Sequence, residues 1–129
     1  MGVRAFLSGP MSDDAHYHIA DFIDAHRRLQ ALGMEHIFNP AFKWVGEMDK
    51  WIPEGTHEYY MRECINELTR PAFDRDRMED GDRFCPYYDV LVQLHGWSYS
   101  EGAKLERDVA LACGIKVVSI DEIEGAVEG

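Results

Sequence analysis

A three-layer α/β sandwich built on a parallel sheet of four or five strands is the fold this sequence predicts. Three observations predict it. Short apolar runs alternate along the chain with stretches of helical period, and strands separated by helices imply a parallel sheet covered on both faces. The 129 residues suffice for one core but not for two, so a single domain spanning 1–129 is expected. A content of 46% hydrophobic and 12% aromatic residues belongs to a globular chain rather than a disordered one.

Residues 3–7 form the first apolar run, a strand broken by the turn Ser8-Gly9-Pro10. From about 16 to 32, Ile19, Phe22, Ile23, His26 and Leu29 recur at helical spacing until Gly33 stops the pattern. A short strand at 35–38 and a loop opened by Asn39-Pro40 follow, then a segment carrying Trp44 and Trp51. A second helix is expected over 56–70, with Tyr60, Cys64, Ile65 and Leu68 on one face. Residues 89–94 make a third strand and residues 116–120 a fourth, with a helix from Glu101 between them. The expected strand order is 2-1-3-4, a flavodoxin-like or Rossmann-like arrangement.

The stretch "PAFDRDRMEDGDRFCPYY", 71–88, has no period and interrupts what would otherwise be a tight helix-to-strand connection, as functional lids and disordered segments do. Its acidic cluster does not make a calcium loop. Aligning Asp80-Gly81 with the fifth and sixth loop positions puts Met78 and Tyr87 where oxygen ligands belong.

Charge excludes a class of partner. Thirteen Lys and Arg against 24 Asp and Glu leave a formal net charge of −11, the wrong balance for neutralising a phosphate polymer, so no nucleic-acid polymer is expected. A small phosphorylated ligand remains compatible, because helix N-termini and backbone amides hold one or two phosphates without net positive charge. Three widely spaced cysteines, Cys64, Cys85 and Cys113, imply buried thiols in a reducing cytoplasm. Neither a leader nor a membrane span is expected from the start of the chain. His16 and His18 beside Asp13 and Asp14 lack a third placed ligand, so no metal is expected.

In open parallel sheets ligands bind at the carboxyl ends of the strands, where the order reverses. Two loops leave such ends here, Ser8-Gly9-Pro10-Met11 after the first strand and 95–100 after the third, and both are expected to line one cleft. In the helix from Glu101, charged Glu101, Lys104, Arg107 and Asp108 share one arc. Gly102, Ala103, Leu105, Val109, Ala110, Ala112 and Cys113 are expected on the opposite arc, and Glu106 falls in its middle. Periodicity alone favours a structural carboxylate paired with Arg4, Arg62 or a backbone amide. Ser100 is a good N-cap, with the amides of Glu101, Gly102 and Ala103 aimed at the cleft, and Trp97 is either a lid on the core or a platform for a base.

Together "FLSGPMS" (6–12), "FNP" (38–40), "YMRECINEL" (60–68), "YDVLVQLHGWSYSEGAKLE" (88–106) and "ALACGIKVV" (110–118) resemble the nucleoside 2-deoxyribosyltransferase superfamily. The likeness is greatest to its small branch with a G-W-x-x-S-x-G-A-x-x-E pattern, and it covers most of the chain apart from 71–86 and the tail. It implies that Glu106 is the nucleophile attacking C1′ of a sugar. Six residues earlier, family members acting on free nucleosides tend to carry Asp, whereas nucleotide N-hydrolases carry Ser, which contacts a 5′-phosphate. This chain has Ser100 there, and a hydroxyl at a helix N-terminus accommodates phosphate that an aspartate would repel.

The resemblance therefore implies hydrolysis of the N-glycosidic bond of a (deoxy)ribonucleoside 5′-monophosphate without metal or organic cofactor, by a homodimer or higher homo-oligomer. Ser8, Gly9, Pro10, Asp89, Trp97, Ser100, Gly102 and Ala103 would contact the substrate. The chain departs from the family in the helix over 56–70, where an acidic residue often helps hold the base. Cys64 stands at that register and Glu63 one residue off, with Asp89 a substitute. A deoxyribosyltransferase exchanging bases and a non-catalytic nucleotide sensor are the alternatives.

Overall fold

The protein is seen in a computed structural model that describes residues 3–10, 15–40, 57–72 and 85–123. In chain order these form β1 (Arg4–Ser8), α1 (Ala15–Ala31), β2 (His36–Phe38), α2 (His57–Leu68), β3 (Val90–Gln93), α3 (Glu101–Ala112) and β4 (Lys116–Ser119). The strands pair in parallel in the order β2-β1-β3-β4, a doubly wound α/β sandwich of flavodoxin-like or Rossmann-like kind.

Side chains alternate across the strands and divide the core in two. Ala5, Leu7, Val90, Val92 and Val118 face Phe22, Ala25 and Leu29 of α1, together with Ile120 and Ile123 after β4. Phe6 and Leu91 face Cys64 and Leu68 of α2, Ala110 of α3, and Ile115. The apolar runs of β1 and β3 are continuous because both faces are covered. Phe6 is completely buried, stacked on Phe38 at 4.8 Å and edge-on to Tyr88 at 5.5 Å. Truncating such a residue costs about 3–5 kcal/mol.

The two ends of the 71–88 insertion are pinned beneath the sheet. Ala72 N–H donates to Cys85 O and Tyr87 N–H to Arg70 O, each at 2.8 Å, across an antiparallel bridge between Pro71 and Pro86. Glu67 accepts hydrogen bonds from the Tyr88 hydroxyl and, at 2.9 Å, from Arg70 Nη1, while the Arg70 guanidinium lies 4.2 Å from the centre of the Tyr87 ring. Burial, then the bond to Glu67, pushes the Tyr88 hydroxyl well above the usual range. Residues 73–84 lie outside the described residues.

Two sequence expectations are corrected. Cys64 is buried, but Cys85 and Cys113 are exposed. The inward stripe of α3 is also narrower than expected. Gly102, Ala103, Glu106 and Ala110 are buried, whereas Leu105 and Leu111 are about half exposed and Ala112 and Cys113 face outward. The stripe spans on the order of 100° of the helix circumference, and Glu106 lies at its centre. Leu105 and Ala112 lie about 60° and 80° outside that arc, on the side of Glu101, too far round to reach the sheet.

Candidate functional site

The order of the sheet reverses between β1 and β3, since the chain leaves β1 for β2 on one side and returns to β3 on the other. Ser8 ends β1, Gln93 ends β3, and the two are paired in register. Ser119, the last residue of β4, pairs with Gln93 in turn. Because Ser8 follows Phe6 and Gln93 follows Leu91 at a spacing of two, both belong to the face covered by α2 and α3. A polar row thus crosses the carboxyl end of the sheet at the switch point.

Glu106 reaches this row from α3. Its side chain is buried, and Oε1 accepts a hydrogen bond of 2.6 Å from Ser8 Oγ. The Cys64 thiol of α2 supplies a second hydrogen bond. Among the described residues, neither Arg4 nor Arg62 pairs with it. Arg4 instead meets Asp89, which accepts from the Arg4 backbone N–H at 2.9 Å and from Nε at 3.3 Å. With no cation of the described residues beside it, burial dominates and pushes the Glu106 carboxyl up to about 7, the Ser8 and Cys64 hydrogen bonds opposing that rise. Near neutral pH the group divides between carboxylate and acid. It can attack as a nucleophile in the first form and donate a proton in the second.

The two loops meet as expected. A Cβ on Gly9 would lie 2.9 Å from Leu94 Cβ, so the chain leaving β1 passes against β3 with room only for hydrogen at that position. Leu94 N–H donates to Ser8 O at 2.8 Å. Gly96 has φ +87°, where side chains are strained, and a Cβ there would lie 3.3 Å from Pro10 Cγ. Gly9 and Pro10 therefore shape the floor beside Ser8 through packing.

Ser100 caps α3, with the Ala103 N–H donating to its Oγ at 3.1 Å. That bond occupies the Ala103 amide, which is therefore turned to the cap and not, as expected from the sequence, to a ligand. The amides of Glu101 and Gly102 are left without an acceptor inside the helix. Gly102 and Ala103 lie on the buried stripe one turn before Glu106. Trp97 sits in the 3-10 turn Trp97–Tyr99, with the Arg107 guanidinium 5.6 Å from its ring centre.

Asp89 is not brought to the others. It precedes β3 and pairs with Arg4 at the amino end of the sheet, four residues or about 13 Å along the strand from Gln93. Parallel strands keep the two ends apart, so an acidic group before a strand cannot join a site after it. Trp44, Trp51, Asp13, Asp14 and the side chains of His16 and His18 lie outside the described residues. Among the described residues, no group of three His, Cys, Asp or Glu is placed to hold a metal ion.

Sequence reasoning missed Gln93. Its side-chain Nε2 is buried without a hydrogen-bond partner, a state it shares among the described residues only with Arg4 Nη1 at the other end of the sheet. Leaving such a donor unsatisfied costs about 1–3 kcal/mol. The available signal was the alternation itself: counting by two from Leu91 puts a carboxamide beside Ser8.

A family model described as a domain of unknown function (DUF4406) matches residues 72–119. That stretch contains β3, α3 and β4, hence Gln93, Ser100 and Glu106, but neither Ser8 nor Cys64. A comparison with curated proteins found no match. Among the described residues, no helix is long and apolar enough to cross a membrane.

Proposed function

We propose that this chain hydrolyses the N-glycosidic bond of a nucleoside 5′-monophosphate, with Glu106 as nucleophile. The observation that carries the reading is a buried carboxylate at the β1/β3 switch point, held by a serine hydroxyl at 2.6 Å and a thiol, with no cation of the described residues paired to it. A structural ion pair would neutralise such a group. Here it keeps its reactivity.

In the first step a Glu106 oxygen bonds to C1′ from the face opposite the base. The C1′–N bond breaks, its electron pair leaves with the base, and the base takes a proton from water. The product is a glycosyl ester of Glu106. Water then adds its oxygen to C1′ and loses a proton, the ester bond breaks, and carboxylate and sugar phosphate are released. Ser8 holds the attacking oxygen. Ser100 and the Glu101 and Gly102 amides at the N-terminus of α3 face the phosphate, where the helix dipole favours negative charge. From Ser100 to Glu106 the helix rises about 9 Å, a reach suited to a sugar 5-phosphate. The resemblance of the motifs to nucleoside deoxyribosyltransferases adds a homodimer and a cytoplasmic setting to this reading.

Chromatography of the free base released from a panel of nucleoside monophosphates and the matching nucleosides, with and without an acceptor base, tests it. Release from monophosphates that Glu106→Ala abolishes is the expected result. Base exchange from nucleosides would make the enzyme a transferase, and binding without turnover would make it a nucleotide sensor.

A further inference from the structure

Gln93 has no part in the mechanism above, yet it occupies the residue position next to the reacting centre. It is paired in register with Ser8, the residue that holds Glu106, and β1 and β3 run about 4.8 Å apart. Alternation from Leu91 turns its side chain to the same face of the sheet. Its Nε2 is buried and without a partner, while the residue as a whole is only 6% exposed.

Stereochemistry limits what such a donor can meet. If Glu106 attacks C1′ from the face opposite the base, groups flanking Glu106 meet that same lower face of the pentose. In a β-ribonucleotide the base projects from the upper face, and the hydroxyl on the carbon adjoining C1′ projects from the lower one. The phosphate lies toward Ser100, at the far end of the sugar. We propose that Gln93 is a specificity-determining residue that donates its unpartnered amide hydrogen to the 2′-hydroxyl, making a ribonucleoside 5′-monophosphate the substrate class. This inference rests on the hydrolase reading. A donor built for a hydroxyl discriminates against substrates lacking it, because it is then left unpaired in a buried site.

The test compares kcat/KM for matched ribo- and 2′-deoxyribonucleoside monophosphates of each base, in the wild type and in Gln93→Leu. The wild type is expected to favour the ribo form at least tenfold, and Gln93→Leu to shrink that ratio about tenfold. Partial unfolding scales both rates equally, so the folded fraction of Gln93→Leu still reports the changed ratio, and Gln93→Asn, which retains a shortened donor, is measured alongside and is expected to give an intermediate ratio. A wild type that favours the deoxy form, or a ratio that Gln93→Leu leaves unmoved, overturns the assignment. If no monophosphate of either sugar is cleaved, the hydrolase reading itself fails. Calorimetric binding of ribose 5-phosphate against 2-deoxyribose 5-phosphate then still decides the point, equal affinities contradicting it.

Discussion

Ser8 and Glu106 stand 98 positions apart in the chain and share a buried hydrogen bond of 2.6 Å. The contact joins the end of β1 to the middle of α3 across the point where the sheet reverses its order. Ser8 donates to the ionised carboxylate and so opposes the effect of burial on it. Replacing Ser8 with Ala removes that donor, raises the Glu106 pKa above its present value of about 7, and moves the acidic limb of the pH–rate profile to higher pH. At neutral pH, kcat/KM is expected to fall roughly tenfold to a hundredfold, the scale of a charge-assisted hydrogen bond. A full pH profile of base release checks it, and an unmoved limb would contradict it.

Stability carries the same carboxyl in a second observable. Burial raises the Glu106 pKa from 4.5 to about 7, so between those values the folded chain holds a proton that the unfolded chain has released. Its stabilising contribution is complete below the unfolded value and is lost as pH rises through the folded one, a change on the order of 3 kcal/mol. Glu106→Gln cannot titrate. Relative to that variant, the wild type is expected to be markedly less stable at pH 8 than at pH 5 in denaturant unfolding. A difference independent of pH would show that the carboxyl is not shifted.

The thiols separate by environment. Cys85 and Cys113 are exposed, and Cys64 is buried against Glu106. A colorimetric thiol reagent is expected to modify two cysteines rapidly in the native protein and the third only on unfolding. Rapid reaction of all three would place Cys64 at the surface and remove it from the site.

Gly9 is required by the contact between the two loops. In Gly9→Ala the new methyl group would meet Leu94 Cβ at 2.9 Å, and both partners are anchored at strand ends. Strain of this kind typically costs about 1–3 kcal/mol. Thermal unfolding of Gly9→Ala measures it, and an unchanged Tm would mean that β1 and β3 are not held as closely as the structure has them.

Much of the fold was legible in the sequence because its signals are local. The alternation of strand and helix, the start of α3 at Glu101 and the Ser100 cap each follow from period or capping chemistry within a few residues, and the order 2-1-3-4 was expected from the fold type that this alternation implies. What was not legible depends on separate segments meeting. The position of Glu106 on the inward arc was visible, but its partners Ser8 and Cys64 were not, since they come from two other elements. Asp89 entered through the family resemblance alone, although its place at the start of the third strand already set it a strand's length from the loops that follow, and there it pairs with Arg4. Gln93 was overlooked because a strand buried on both faces reads as a plain apolar run, which hides the alternation that turns its side chain toward Ser8.

In the proposed mechanism Glu106 forms a covalent bond to C1′ of the sugar. Intact-protein mass spectrometry after rapid acid quench of the enzyme turning over a cleaved monophosphate addresses it most directly, followed by peptide mapping. The expected result is an added mass equal to the sugar phosphate residue, located on the peptide containing Glu106 and absent from Glu106→Gln. Undiminished base release by Glu106→Gln, with no adduct on either protein, would contradict the account.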